Sequence, residues 1–248
     1  MRSIHVFCAA LMMTVPVWAG PPFRTDDPEP VEYQHWEVYI FSAATLVQGD
    51  TNGVLPGVEV NYGVVPDIQL HAVVPLAFDK PSGSGMQNGI GDIELGAKYR
   101  FIHEDENGWQ PQVGVFPLIE VPTGDANKAL GAGQTRIYLP VWLQKSVGKW
   151  LTYGGGGYWI NPGVGNQNYW FTGWLLQRQV TEQLALGGEV FHQTADTLGG
   201  KGSSGFNLGG VYDFSENHHL LFSAGRGLEN ARMTNGFSYY LAFQWTLP

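Results

Sequence analysis

The feature that most constrains this chain is a strict two-residue alternation of apolar and polar side chains. It recurs in runs of roughly ten residues, the length a tilted membrane-spanning strand needs. In the last run Phe237, Tyr239, Leu241, Phe243, Trp245 and Leu247 alternate with Ser238, Tyr240, Ala242, Gln244 and Thr246. In the run from Gly91, Ile93, Leu95, Ala97, Tyr99 and Phe101 alternate with Asp92, Glu94, Gly96, Lys98 and Arg100. Successive side chains of a strand point to opposite faces, so each run presents one apolar and one polar face. A helix cannot be built on that period.

About twelve such runs are legible, starting near His35, Gly57, Ile68, Gly91, Pro111, Thr135, Trp150, Tyr169, Gln183, Gly205, His218 and Phe237. Clusters of Gly, Pro, Asn and Asp separate them. No stretch approaches the roughly 20 apolar residues of a spanning helix. Charged residues make up 14% of the chain and aromatic residues 13%. So little charge is unusual for a solvated globular domain, and the aromatic content argues against disorder.

Alternation alone does not separate a soluble β-sandwich from a membrane barrel. Loop lengths do. Val65 to Asp67, Glu104 to Gly108, Val147 to Lys149, Thr181 to Glu182 and Ser215 to Asn217 are short connections, whereas Asp79 to Asn88, Thr123 to Gln134, Thr194 to Ser204 and Gly227 to Gly236 are longer. An even number of strands with short turns at one end and longer loops at the other is the plan of an outer-membrane barrel. The expected fold is therefore all-β, a transmembrane antiparallel up-and-down β-barrel over residues 35–248, with both termini at the periplasmic end. Trp36, Tyr62, Tyr99, Phe101, Trp150, Tyr169, Phe171, Tyr212, Phe237 and Trp245 lie near run ends, where interfacial girdles belong.

The ends of the chain bear on destination. Arg2, the apolar run from Val6 to Trp18 and the small residues before Gly20 read as a signal peptide over residues 1–19, cleaved after Ala19. Cys8, the single cysteine, lies inside it, so the mature chain offers no disulfide or thiolate. Residues 20–34, rich in proline and acid and without periodicity, read as a periplasmic lead-in lacking regular structure. The net charge of −9 becomes one unit more negative when Arg2 leaves, which disfavours nucleic acid as a partner.

With apolar faces outward against outer-membrane lipid, the lumen would carry Glu37, Glu59, Asp92, Glu94, Lys98, Arg100, Glu120, Arg136 and Glu189. Acids outnumber bases. Two readings stand: a solute pathway with a field favouring cations or neutral solutes, or charges that pair with one another and fill the interior. Twelve strands lie between barrels filled by side chains and open porins, so a narrow or partly plugged passage is expected. Gly154 to Gly157 would widen the lumen or permit a kink.

The seven histidines form no metal-ligand spacing, and no cofactor motif is present. Ser203, Ser204, His192 and Asp196 cluster around one long loop, but without a nucleophile elbow. The expectation is a non-enzyme with no catalytic residues. A non-conducting structural or surface-binding barrel and a barrel lipid hydrolase are the alternatives.

The opening of the mature chain, Gly20-Pro21-Pro22-Phe23-Arg24-Thr25-Asp26-Asp27-Pro28 followed by His35-Trp36-Glu37, resembles a family of bacterial outer-membrane proteins labelled for a meta-cleavage (MetA) pathway of phenol degradation. Gly91 to Arg100 resembles that family's GDxxLxxKYR strand, and the aromatic last strand fits it. The resemblance implies a Gram-negative outer-membrane barrel, a channel or transporter of small organic solutes. The chain ends Trp245-Thr246-Leu247-Pro248 rather than on an aromatic residue, which displaces the signal that the barrel-assembly machinery reads.

Overall fold

The computed structural model describes residues 21–105 and 108–248; the expected signal peptide lies outside them. Fourteen strand segments form one sheet: β1 (Trp36–Val47), β2 (Asp50–Val65), β3 (Ile68–Lys80), β4 (Gln87–Ile90), β5 (Ile93–Ile102), β6 (Gln112–Val115), β7 (Leu118–Val121), β8 (Arg136–Val147), β9 (Trp150–Ile160), β10 (Tyr169–Gln179), β11 (Leu184–Gln193), β12 (Ser203–Ser215), β13 (His218–Glu229) and β14 (Phe237–Leu247). β4 and β5 both pair with β3, and β6 and β7 both lie between β5 and β8. Each couple occupies one place in the ring, so fourteen segments make a barrel of 12 strands.

Both interruptions have local causes. Pro117, between β6 and β7, lacks the N–H that a continuous ladder would use. Its carbonyl still accepts from Ala97 N at 3.2 Å. Between β4 and β5, Asp92 turns aside to accept from Gly124 N at 2.9 Å and Ala132 N at 2.6 Å. That carboxylate ties the long β7–β8 connection over the barrel mouth, where Leu130 is buried. A 3₁₀ turn (Ala126–Lys128) and a short helix α1 (Ala231–Thr234) lie at the loop-bearing end.

Every pairing is antiparallel, and the ring closes between β1 and β14 in unbroken register from Trp36↔Leu247 to Leu46↔Phe237. Closure leaves only the short β4, at the loop-bearing end, with one unpaired side, and paired edges are the condition for crossing lipid with strands. Ile40, Leu70, Val74, Leu95, Leu139, Leu176, Leu208 and Leu241 are exposed on the outer face. Around the turn-bearing end Trp36 stacks on Tyr62 at 4.2 Å, and Trp150 lies under Arg178. Tyr169 and Phe171, expected in a girdle, instead face inward and are buried. They sit at the inward parity of β10, which position along the chain alone does not reveal.

The larger departure concerns residues 20–34. Rather than a lead-in outside the barrel, residues 22–31 lie within the lumen: Phe23, Thr25, Asp26 and Val31 are all buried. The chain then leaves at the turn-bearing end, where Tyr33 bridges Gly63 and Gln34 N donates to Gly63 O at 2.7 Å. The segment joins the ring by side-chain bonds rather than by a β ladder, so no hydrophobic period announces it.

Candidate functional site

The inserted segment and the two walls it touches form the candidate site. Its first half is fixed by Glu189 on β11. This buried carboxylate accepts from Arg24 N at 2.9 Å, Thr25 N at 2.8 Å, Thr25 Oγ1 at 2.6 Å and Asn207 Nδ2 at 2.6 Å. Four charge-assisted bonds saturate it. Thr25 rests against Gly173 so closely that a Cβ there would collide with its hydroxyl, which makes glycine a packing requirement on β10. Phe23 packs with Tyr153 and Leu175, and Ser223 donates to the Pro22 carbonyl.

The second half is fixed by charge. Lys98 on β5 donates to Asp26 at 3.0 Å and Asp27 at 3.3 Å, with its ammonium 5.0 Å from the Phe116 ring. One ammonium thus serves two carboxylates, leaving excess negative charge in an enclosed place. Burial accordingly raises the Asp26 carboxyl to about 7, against the opposing pull of Lys98 and with Asp27 adding to the rise. Val31 N donates to Gln69 at 2.9 Å, and Gln144 and Gln112 donate to Glu29 at 2.8 and 3.3 Å.

The wall formed by β2, β3, β5, β7 and β8 is polar. Asn61 donates to Glu59 at 2.9 Å, while His71 bonds Asn61 at 2.7 Å and Glu94 at 2.9 Å. Glu94 stands opposite Glu120, and Glu120 opposite Arg136, in register across three strands. Arg136 pairs with Glu120. The adjoining wall, from β8 to β11, is aromatic, and Arg136 lies over the Trp159 ring, 5.5 Å from its centroid. Tyr138 stacks on Trp159 at 4.7 Å, Trp159 on Tyr169 at 5.9 Å, and Phe171 on Phe191 at 6.3 Å.

Of the residues expected in the lumen, Glu59, Glu94, Lys98, Glu120, Arg136 and Glu189 are buried inside the ring. Glu37 is half-buried and accepts from Tyr39 Oη at 2.6 Å. The other two stand at the ends of the same inward-facing row: buried Asp92 accepts from amides of the β7–β8 loop, and Arg100, at the turn-bearing end, bonds Asp67 at 2.8 Å and Gln112 at 3.1 Å and lies 4.0 Å from Glu29 of the inserted segment. Burial pushes the Asp67 carboxyl up, but the bonds and charge of Arg100, joined by His103, outweigh it and hold the group below its ordinary value.

The cluster of Ser203, Ser204, His192 and Asp196 divides between faces. Ser203 turns inward and is buried; Ser204 meets His192 Nδ1 at 2.9 Å and donates to Glu229 at 3.1 Å; Asp196 is bonded by Gln193 instead. With the serine in the middle and its proton on a carboxylate, histidine is not placed as the base of a triad. Sequence reasoning missed the inserted segment itself and the inward aromatics. The Arg-Thr-Asp-Asp run at residues 24–27 was the available signal: polar, acidic, and adjacent to a barrel with buried lysine.

Comparison with known proteins adds three findings. The profile of the family described as "Putative MetA-pathway of phenol degradation" matches residues 39–244. Among solved structures, the COG4313 outer membrane channel from Pseudomonas putida F1 superposes with a TM-score of 0.73 at 16% identity, covering 89% of this chain and 98% of that one. The NanC porin gives 0.59 at 10% identity, covering 84% and 98%, and the translocator domain of the autotransporter NalP from Neisseria meningitidis gives 0.50 at 10%, covering 86% and 87%. At these identities the likeness is one of fold. No curated protein matches the sequence.

Proposed function

Because the chain belongs to the MetA-pathway phenol-degradation family, we propose that it is an outer-membrane channel for small organic solutes, aromatic ones included, held shut by its own N-terminal segment. The leader over residues 1–19 would direct export, and the barrel-assembly machinery would insert the mature chain. Long loops would then face outward and short turns the periplasm.

The observation that carries this reading is the character of the lumen filling. A purely structural barrel would be filled by side chains of its own strands. Here a polar segment occupies the centre, held by a small number of discrete bonds whose loss would open a path lined by adjoining polar and aromatic walls. The polar wall has its charges paired or hydrogen-bonded in place, and the aromatic wall suits flat solutes. The chain is read as a passive conduit without catalytic residues. A likeness to a channel and a porin agrees with that reading.

Membrane fractionation and flux measurement test it. The mature chain should be recovered with outer membranes, and liposomes containing it should swell in small organic solutes. Recovery as a soluble periplasmic protein would remove the location, and absence of flux for every solute would remove the conduit.

A further inference from the structure

Resting on the channel reading, we propose that Arg24, on the inserted segment, is an anion-recognition group that makes the lumen select aromatic carboxylates. Arg24 is enclosed by the barrel and, taken as a whole residue, is intermediate between buried and exposed. Its Cζ lies 4.5 Å from the Phe191 ring centroid and 5.1 Å from that of Phe171. A guanidinium held against rings through its face keeps its in-plane N–H groups for other partners. Only one is used among the described residues: Nη2 donates to the neutral Gln193 side chain at 3.2 Å. Five N–H donors are available to the group.

The nearby carboxylates do not neutralise it. Glu189 takes the Arg24 backbone N–H and three further donors, none of them from the guanidinium. Asp196 accepts from Gln193 at 3.2 Å, and no ion pair of Arg24 occurs among the described residues. Lys98 and Arg136, by contrast, have carboxylate partners. Burial lowers the proton affinity of the Arg24 guanidinium, with Glu189 opposing, which marks a cation short of counter-charge.

The approach supplies the rest of the ligand. Tyr138, Trp159 and Tyr169 form a stacked strip toward the loop-bearing end, continuing into Phe171 and Phe191 where the guanidinium lies. A flat ring travelling along this strip brings a carboxylate to the N–H edge of Arg24. There it replaces the Gln193 contact with a charge-assisted and bidentate one. A neutral amide of the same shape gains no such exchange.

Benzoate and benzamide, alike in shape and unlike in charge, test this on the full mature protein. Quenching of the lumenal tryptophans in detergent should show benzoate binding about tenfold tighter than benzamide, the size expected of one charge-assisted pair. Arg24→Gln should abolish that preference, and Arg24→Lys should retain part of it. Resistance of the barrel to heat and SDS establishes that each variant is folded. Equal affinity for the two probes, or a preference that survives Arg24→Gln, overturns the proposal. Liposome flux separates it from the channel reading. Flux of both probes without preference in binding leaves the conduit and removes the anion site. Arg24-dependent binding with no flux of either leaves the site and removes the conduit.

Discussion

The two halves of the inserted segment are held by opposite chemistry. Residues 22–25 are gripped by one carboxylate that accepts backbone and hydroxyl hydrogens, together with a glycine that allows close approach. Residues 26–31 are gripped by one ammonium serving two carboxylates and by neutral glutamines. The first attachment is shape-specific and has no titrating group of the segment in it. The second depends on charge balance, so it can be loosened without breaking a covalent or packing constraint. A channel closed this way has a fixed tip and an adjustable stem.

Trypsin cleavage after Arg24 reports release of either half, because the bond is enclosed when the segment is seated and cleavage follows the open population. The largest effect is expected from Lys98→Met, which leaves buried Asp26 without its cation. Loss of one partner of a buried pair costs about 3–5 kcal/mol, so cleavage should accelerate by about a hundredfold or more. No acceleration would mean that the stem is held by something other than charge. Glu189→Gln comes next. An amide keeps one acceptor but brings two donors into a place already crowded with donors, and the loss of about 1.5–3 kcal/mol predicts acceleration by roughly ten- to a hundredfold. Unlike the stem variant, it should act equally at every pH.

Acidity distinguishes the halves a third way. Asp26 is raised to about 7 when seated and would return to an ordinary carboxylate value when released. A seated group with the higher pKa is favoured by protonation, so seating is strongest below the released value of about 4 and is lost as pH rises through about 7. The open-to-closed ratio in planar bilayers should therefore increase by up to about a hundredfold between pH 5 and 8, and Asp26→Asn should flatten that slope. A slope of the opposite sign would place the titration elsewhere. The smallest effect is expected for Gln69→Ala, which removes one partner of Val31 N: about 1 kcal/mol, read as roughly fivefold faster cleavage. An effect as large as that of Lys98→Met would show that the stem is held by backbone capture instead.

The outer half of this molecule was legible in the sequence and the inner half was not, for a physical reason. Lipid demands a repeating apolar face, so β14 and β5 display their period openly, and short turns mark one end. The lumen makes no such demand. Glu189 and Lys98 were recognisable as inward charges from parity, but nothing in their own strands says that their partners are Thr25 and Asp26, more than 70 residues away. Residues 22–31 carry no period because they pair with side chains instead of strands. Tyr169 and Phe171 misled because aromatic residues near strand ends serve both lipid interfaces and a lumenal wall. Asp92 shows the same limit as Glu189 and Lys98: parity marks it as inward, but nothing in its own strand says that it holds the amides of Gly124 and Ala132.

The central claim is that the N-terminal segment closes an otherwise continuous lumen. Single-channel conductance of the refolded barrel with residues 22–31 deleted, set beside the intact mature protein, tests it most directly. The intact channel should be mostly closed and the deletion variant steadily open at several-fold higher conductance, with no pH dependence between 5 and 8. Equal conductance of the two would contradict it, because the lumen would then be closed, or open, by the strands alone.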